Sequence, residues 1–187
     1  ETSSNICGVS LISKGECVDI IEEDSNKKHA EILPGFYLEL QNRTKFILDD
    51  IDAIAISIGP GSFTGLRIGL SFAKGLAFSK NLPIIPVSTI MSLAYSLRDE
   101  SPSGGIIYSH AKRVFYQDVK WNKKIPYSIG DVKVFEWNEI FEIIDNTKST
   151  FQLNCESFNE SDIFMKASLS ASYVGLLASI NYYKSVI

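Results

Sequence analysis

Ser57-Ile58-Gly59-Pro60-Gly61-Ser62-Phe63-Thr64-Gly65-Leu66-Arg67 is the stretch whose residue types and spacing could do chemistry. Three glycines and a proline specify a tight turn with positive φ and close backbone approach. The turn separates an apolar strand, Ile51 to Ile58, from a helix predicted from about Thr64 to Lys80. A turn of this kind at a helix N-terminus can gather backbone N–H groups around an anion. Gly59, Gly61, Ser62 and Arg67 are then the candidate ligands. The alternative is that the glycines let the helix pack tightly. The spacing fits neither common phosphate loop. A G-x-x-x-x-G-K-[ST] loop needs glycines five apart, whereas Gly59 and Gly65 are six apart and Leu66 stands where Lys is required. In G-x-G-x-x-G terms the third glycine is one residue late.

Other chemistry is sparse. His29 and His110 have no partner at metal-ligand spacing. Ser62 does not sit in G-x-S-x-G, so no nucleophile elbow is present. Asp49, Asp50 and Asp52 read as a solvated loop before the buried strand. Cys7, Cys17 and Cys155 suit free thiols in a reducing compartment, and Cys17 should face Ile12 rather than Cys7 across a hairpin. The net charge of -4 argues against a strong nucleic-acid binder acting alone. No apolar run reaches the roughly 18 residues a membrane span needs.

The elements that must position these residues follow from periodicity. Ile6 to Ser13 and Glu16 to Ile21 read as a hairpin around Lys14-Gly15. His29, Ile32, Leu33, Phe36, Tyr37 and Leu40 lie on one helical face, with Pro34 expected to kink the helix or split off its first turn. Gly65, Gly69, Ala73 and Ala77 recur every four residues, flanked by Leu66 and Leu70. Such a row admits close packing, within the chain or with a partner. A strand at 82–87 and a helix from Ile90 follow, and Ser101-Pro102-Ser103-Gly104-Gly105 reads as a linker. Two halves, 1–101 and 105–187, are therefore expected. The second contains strands at 106–109, 114–121 and 132–136, a polar turn region at 122–130, a weak strand at 150–153 and a closing helix from Leu169. The chain opens on Glu1-Thr2-Ser3-Ser4, and a strand ahead of Glu1 and some C-terminal residues are expected to be missing. With that strand the first half reads β-β-β-α-β-α-β-α, a mixed sheet covered by helices, and the second is a reduced version of the same plan.

Ile58 to Gly69, Ala73-Lys74-Gly75-Leu76-Ala77, Pro86-Val87-Ser88-Thr89, the opening Glu1-Thr2-Ser3 and His29-Ala30-Glu31-Ile32-Leu33-Pro34 together resemble the TsaB (YeaZ) family. The resemblance covers residues 1–93 and is weak beyond. His110-Ala111-Lys112 stands where the family usually has Asp-Ala-Arg, and Asn154-Cys155-Glu156 where it has a Gly-flanked acidic turn. The resemblance implies an α/β, actin/Hsp70-like (ASKHA) fold of two ribonuclease-H-like halves. It further implies a cytoplasmic, non-catalytic scaffold in the formation of N6-threonylcarbamoyladenosine at position 37 of tRNAs reading codons that begin with A. The partner TsaD carries the metal and the group transfer, the ATPase TsaE joins the complex, and tRNA is engaged indirectly. No cofactor and no metal are expected in this chain, beyond weak nucleotide binding. The implied dimer surface, used with TsaD or a second copy, comprises His29, Ile32, Leu33, Phe36, Leu40, Gly65, Leu66, Gly69, Leu70, Ala73 and Ala77. The alternative is an ASKHA-type protein that binds ATP near Thr2, Ser3 and the Gly59–Gly65 turn.

Overall fold

A computed structural model of the chain describes residues 1–25, 28–144, 149–158 and 160–185. They form two compact units, residues 1–89 with 169–187, and residues 90–168. These are not the linear halves that the Ser101–Gly105 linker suggests, because the closing helix belongs to the first unit.

In the first unit β1 (Ile6–Ser13) and β2 (Glu16–Asp24) form an antiparallel hairpin. Its turn is Lys14-Gly15 at φ 52° and 79°, the left-handed pair that suits strand twist. Ile12 lies opposite Cys17, and Cys7, Cys17 and Cys155 are all free thiols. Residues 26–27 of the expected polar connector lie outside the described residues. Helix α1 (His29–Thr44) runs unbroken through Pro34. The proline forfeits one bond, to the carbonyl of Ala30, and Ala30 is exposed so water can replace it. Strand β3 (Ile54–Ser57) is shorter than expected, since a 3₁₀ turn at Leu48–Asp50 and an irregular approach precede it. Helix α2 (Phe63–Lys80) is capped by Ser62, whose Oγ accepts from Gly65 N at 3.2 Å, and ends on the left-handed Asn81. Strand β4 (Ile84–Val87) pairs in parallel with β3. Among the described residues β1–β2 and β3–β4 are two separate two-stranded sheets.

The second unit begins in helix α3 (Thr89–Ser96), followed by β5 (Gly104–Tyr108), β6 (Arg113–Asn122) and β7 (Ile125–Glu136). The expected polar turn at 122–130 shrinks to Lys123-Lys124. Residues 127–134 are exposed on an edge strand, where polar side chains are tolerated. After a 3₁₀ turn at Trp137–Glu139 come α4 (Ile140–Ile143), β8 (Thr150–Leu153) and the two-residue β9 (Met165–Lys166). The sheet order is β7-β6-β5-β8-β9, antiparallel on one side of β5 and parallel on the other. The closing helix α5 (Ala171–Ser185) packs on β1 to β4 of the first unit. It meets β1 on the face of Gly8, Ser10 and Ile12, where Ser10 Oγ donates to the Ala171 carbonyl at 2.9 Å.

The second unit is held by Ile106, Val114, Tyr116, Trp137, Ile140, Cys155 and Phe164. Trp137 stacks on Phe158 at 4.2 Å and meets Phe164 edge-on. Burial pushes the Cys155 thiol up to about 12. Burial, with the hydrogen bond donated to Asp118 at 2.8 Å, holds the Tyr116 phenol well above its ordinary range. Both groups are neutral when protonated, and the unfolded chain ionises them first. The Cys155 contribution is therefore fully present below its unfolded pKa near 9 and is lost as pH rises towards 12, and the Tyr116 contribution falls in the same direction above its ordinary value of 10. Urea denaturation between pH 8 and 11 should show falling stability. Cys155→Ala should flatten that slope while lowering stability at pH 7 by about 1–2 kcal/mol.

Candidate functional site

The segment Glu1–Ser4, buried throughout, is laid against the glycine turn. Ser62 N donates to the Ser3 carbonyl at 2.7 Å, and Thr2 Oγ1 donates to the Gly65 carbonyl at 2.9 Å. The buried Glu1 carboxylate accepts from Ser3 N at 2.5 Å, from Ser3 Oγ at 2.6 Å and from Ser57 Oγ. A Cβ at Gly61 would lie 2.3 Å from the Ser3 carbonyl oxygen. At Gly65 it would lie 1.9 Å from that of Thr2, and at Gly69 2.2 Å from Thr2 Oγ1. Gly61 and Gly65 are therefore required by main chain passing over the start of α2, and Gly69 by the Thr2 hydroxyl. Ser62 is committed to capping and to Ser3. Arg67 does not reach into the turn: its guanidinium stacks 4.0 Å above the Phe63 ring.

The small-residue row faces inward. Gly65, Gly69, Ala73 and Ala77 are the buried residues of α2, and His29, Leu33 and Leu40 those of α1. These seven, expected on the contact surface, are internal packing of the unit. The His29 ring lies 3.1 Å from Ser25 Oγ and 3.3 Å from the Ile6 carbonyl. Ile32, Phe36, Leu66 and Leu70 are half-buried. Tyr37 meets Phe72 and Phe46 edge-on at 5.8 and 5.9 Å, and so joins α1 to α2.

The outward surface of the helix pair is a different set. A groove of about 370 Å³ between α1 and α2 is lined by Ala30, Leu33, Pro34, Arg67, Ile68, Ser71 and Phe72. Beyond it Leu38 is 56% exposed, Phe63 67% and Phe78 91%. Gly35 and Gly75 are exposed within α1 and α2, and a Cβ on either would meet nothing within 4 Å. On α2 the residues Arg67, Ser71, Lys74, Gly75 and Phe78 follow the i, i+4, i+7, i+8, i+11 progression of one side of a helix. Phe78 went unnoticed in the sequence because the inward row of small residues is the stronger pattern. The signal that points to it is Gly75, a helix-weakening residue that lies outside that row.

In the second unit His110 is exposed, with Nδ1 2.9 Å from Ser109 Oγ. Among the described residues no three His, Cys, Asp or Glu side chains are grouped to hold a metal ion. No helix among them is long and apolar enough to cross a membrane.

The family profile for tRNA N6-adenosine threonylcarbamoyltransferase (TsaD) matches residues 19–117. The tRNA threonylcarbamoyladenosine biosynthesis protein TsaB of Haemophilus influenzae is 33% identical over 143 residues, 75% of this chain and 59% of that protein. The chain thus spans somewhat over half the length of that relative. TsaB of Buchnera aphidicola from Acyrthosiphon pisum is 32% identical over 158 residues, 82% of this chain and 71% of that protein. The solved structure of YeaZ from Pseudomonas aeruginosa shares the fold, with a TM-score of 0.83 at 24% identity over 99% of this chain and 91% of the other.

The two classes of helical glycine should respond oppositely to alanine. Gly69→Ala drives a methyl into Thr2 and should lower stability by about 1–3 kcal/mol. Gly75→Ala meets open space and should raise it by about 1 kcal/mol through helix propensity. Chemical denaturation of the two variants checks both signs.

Proposed function

The chain belongs to the TsaB (YeaZ) family, and on that premise we propose that it is a non-catalytic accessory subunit in forming N6-threonylcarbamoyladenosine at position 37 of tRNAs reading codons that begin with A. In this reading its partner is the paralogous transferase TsaD, which carries the metal and performs the group transfer. The chain activates TsaD by pairing with it in the cytoplasm. The ATPase TsaE joins through the complex, tRNA is engaged indirectly, and in isolation the same surface pairs with a second copy. The ASKHA fold of two ribonuclease-H-like halves is common to such chains and does not by itself decide between scaffold and enzyme.

The observation that carries the scaffold reading is the outward face of α1 and α2. Phe78 and Leu38 stand in water, and Gly35 and Gly75 weaken their helices without any packing role in this chain. A partner helix crossing at those glycines would approach the backbone closely and cover the exposed aromatics. Burying one such side chain contributes about 1.5–3 kcal/mol. Ile32, Phe36, Leu66 and Leu70 flank this face. The buried row Gly65, Gly69, Ala73 and Ala77 fixes it from behind.

Co-expression with the cognate TsaD should give a heterodimer in size-exclusion chromatography, and a tRNA modification assay should depend on this chain. Gly75→Trp and Phe78→Asp should each abolish the complex and the modification while leaving the thermal midpoint of the isolated chain near its original value. A complex that survives both substitutions overturns the assigned face. Tight ATP binding by the isolated chain in calorimetry would instead favour the nucleotide-binding reading at Thr2, Ser3 and the Gly59–Gly65 turn.

A further inference from the structure

Strand β7 is an edge of the second unit's sheet, and among the described residues no strand pairs with its outer side. Every residue from Tyr127 to Val134 is exposed, and Tyr127, Ile129, Val132 and Val134 are large apolar side chains left in water. An open edge of that kind is a template for another strand. Which strand it fits follows from where its main chain points and where its charges stand.

The direction of the main chain is fixed by β6. Val119 N donates to the Ser103 carbonyl and Ser109 N to the Arg113 carbonyl, both at 2.9 Å, so the odd-numbered residues of β6 turn their main chain to β5. The even-numbered Val114 and Tyr116 therefore turn theirs to β7, where they lie opposite Phe135 and Lys133. By the same alternation Val132 and Val134 point their N–H and C=O groups outward. This open stretch is bounded at both ends. Glu136 N donates to Glu139 Oε2 at 2.9 Å, and the Gly130 carbonyl accepts from Gln117 Nε2 at 3.0 Å. Gln117 stands opposite three residues, Gly130-Asp131-Val132, and that bulge bends β7 where the outward groups begin.

The charges select the occupant. Arg113 and Glu136, directly opposite on β6 and β7, form an ion pair at 2.8 Å. Asp131 and Lys133 have no such partner among the described residues. A lysine on an edge discourages pairing with an arbitrary strand. Only a strand that brings an acid opposite it offsets that cost. A second β7 does so at one register. Outward residues must face outward residues, so a two-fold axis has to pass through a residue of β7 rather than between two. An axis at Asp131 or at Lys133 sets like charges face to face, and one at Val134 leaves Lys133 opposite Phe135. At Val132 the two copies of that residue exchange both main-chain bonds. Asp131 of each copy then lies opposite Lys133 of the other, in the rung where opposed side chains approach most closely.

We propose that the edge of β7 is a self-association site, at which two copies of this chain pair antiparallel about a two-fold axis at Val132 with reciprocal Asp131–Lys133 contacts. The pairing joins the two five-stranded sheets edge to edge. Stable interfaces bury about 1,200–2,000 Å², more than one short strand pair supplies, so the association is of the transient class. It uses no residue of the outward α1–α2 face and does not depend on the accessory-subunit reading.

The test is sedimentation velocity from micromolar to millimolar concentration. Every protein carries Phe78→Asp, which disables the proposed helix face and leaves β7 as the contact being read. This parent should show a monomer–dimer equilibrium, and exchange of the Val132 amide should slow in step with the dimer. Asp131→Lys and Lys133→Asp each set like charges opposite one another at both contacts, and each should weaken the dimer by about tenfold or more. An equimolar mixture of the two variants restores an acid opposite a lysine at both contacts, and should dimerise as the parent does. Both positions are exposed, so the thermal midpoint of each variant should stay near that of the parent. A parent that remains monomeric throughout overturns the proposal. So do variants that dimerise like the parent, a mixture no stronger than either variant alone, or a dimer in which the Val132 amide exchanges as fast as in the monomer.

Discussion

Two carbonyl oxygens, those of Thr2 and Ser3, lie where side chains of the turn and of α2 would otherwise be. Gly61 and Gly65 exist in this chain because those oxygens need the space, and Gly69 because the Thr2 hydroxyl does. The hydrogen bonds at Ser62 N and Gly65 O then fix the register of the opening segment on the helix. The Glu1 carboxylate ties the same segment to Ser57 at the end of β3. An unpaired buried carboxylate would be costly, and here Ser3 N, Ser3 Oγ and Ser57 Oγ all donate to it. One clamp thus joins the chain's opening residues, β3 and α2.

That clamp changes the meaning of a glycine-rich turn. Residues that could cradle an anion are bonded within the protein instead: Ser62 N donates to the Ser3 carbonyl, Gly65 N to Ser62 Oγ, and Thr2 Oγ1 to the Gly65 carbonyl. A Gly-rich turn before a helix marks close backbone approach, and whether a ligand or the chain itself makes that approach is a tertiary fact.

Local pattern was enough for most elements. Two short β-type runs mark the first hairpin, and Lys14-Gly15 carries its turn. The four-residue row marks α2, and the nearly continuous apolar run from Ile51 to Ile58 marks β3, of which Ile56 and Ser57 are buried. What failed was whatever depended on distant partners. The polar residues of β7 read as a turn because an exposed edge strand has no apolar alternation to reveal it. β9 is two residues long and exists only by pairing with β8. The closing helix announced its apolar face but not which unit receives it. On α1 and α2 the residues singled out in the sequence include the buried ones, and the exposed side carries a different set. A row of Gly and Ala is equally compatible with a partner or with the chain's own Thr2, and no periodicity distinguishes the two.

The inward and outward sides of α2 are best understood as one device. A surface that recognises a partner loses affinity if it must be ordered at the moment of binding. Here the inner row is pressed on Thr2 and Ile56, the N-terminus is capped by Ser62, and Tyr37 wedges against Phe72 to join α1. Those contacts hold the helix pair before any partner arrives. They leave Leu38, Phe78, Gly35 and Gly75 displayed at fixed positions. Glycines on the inner side are a requirement of the fold, whereas those on the outer side are a cost to it of about 1 kcal/mol each. In the proposed accessory role, that cost on the exposed side of α2, next to an aromatic ring left in water, is what a partner helix would offset.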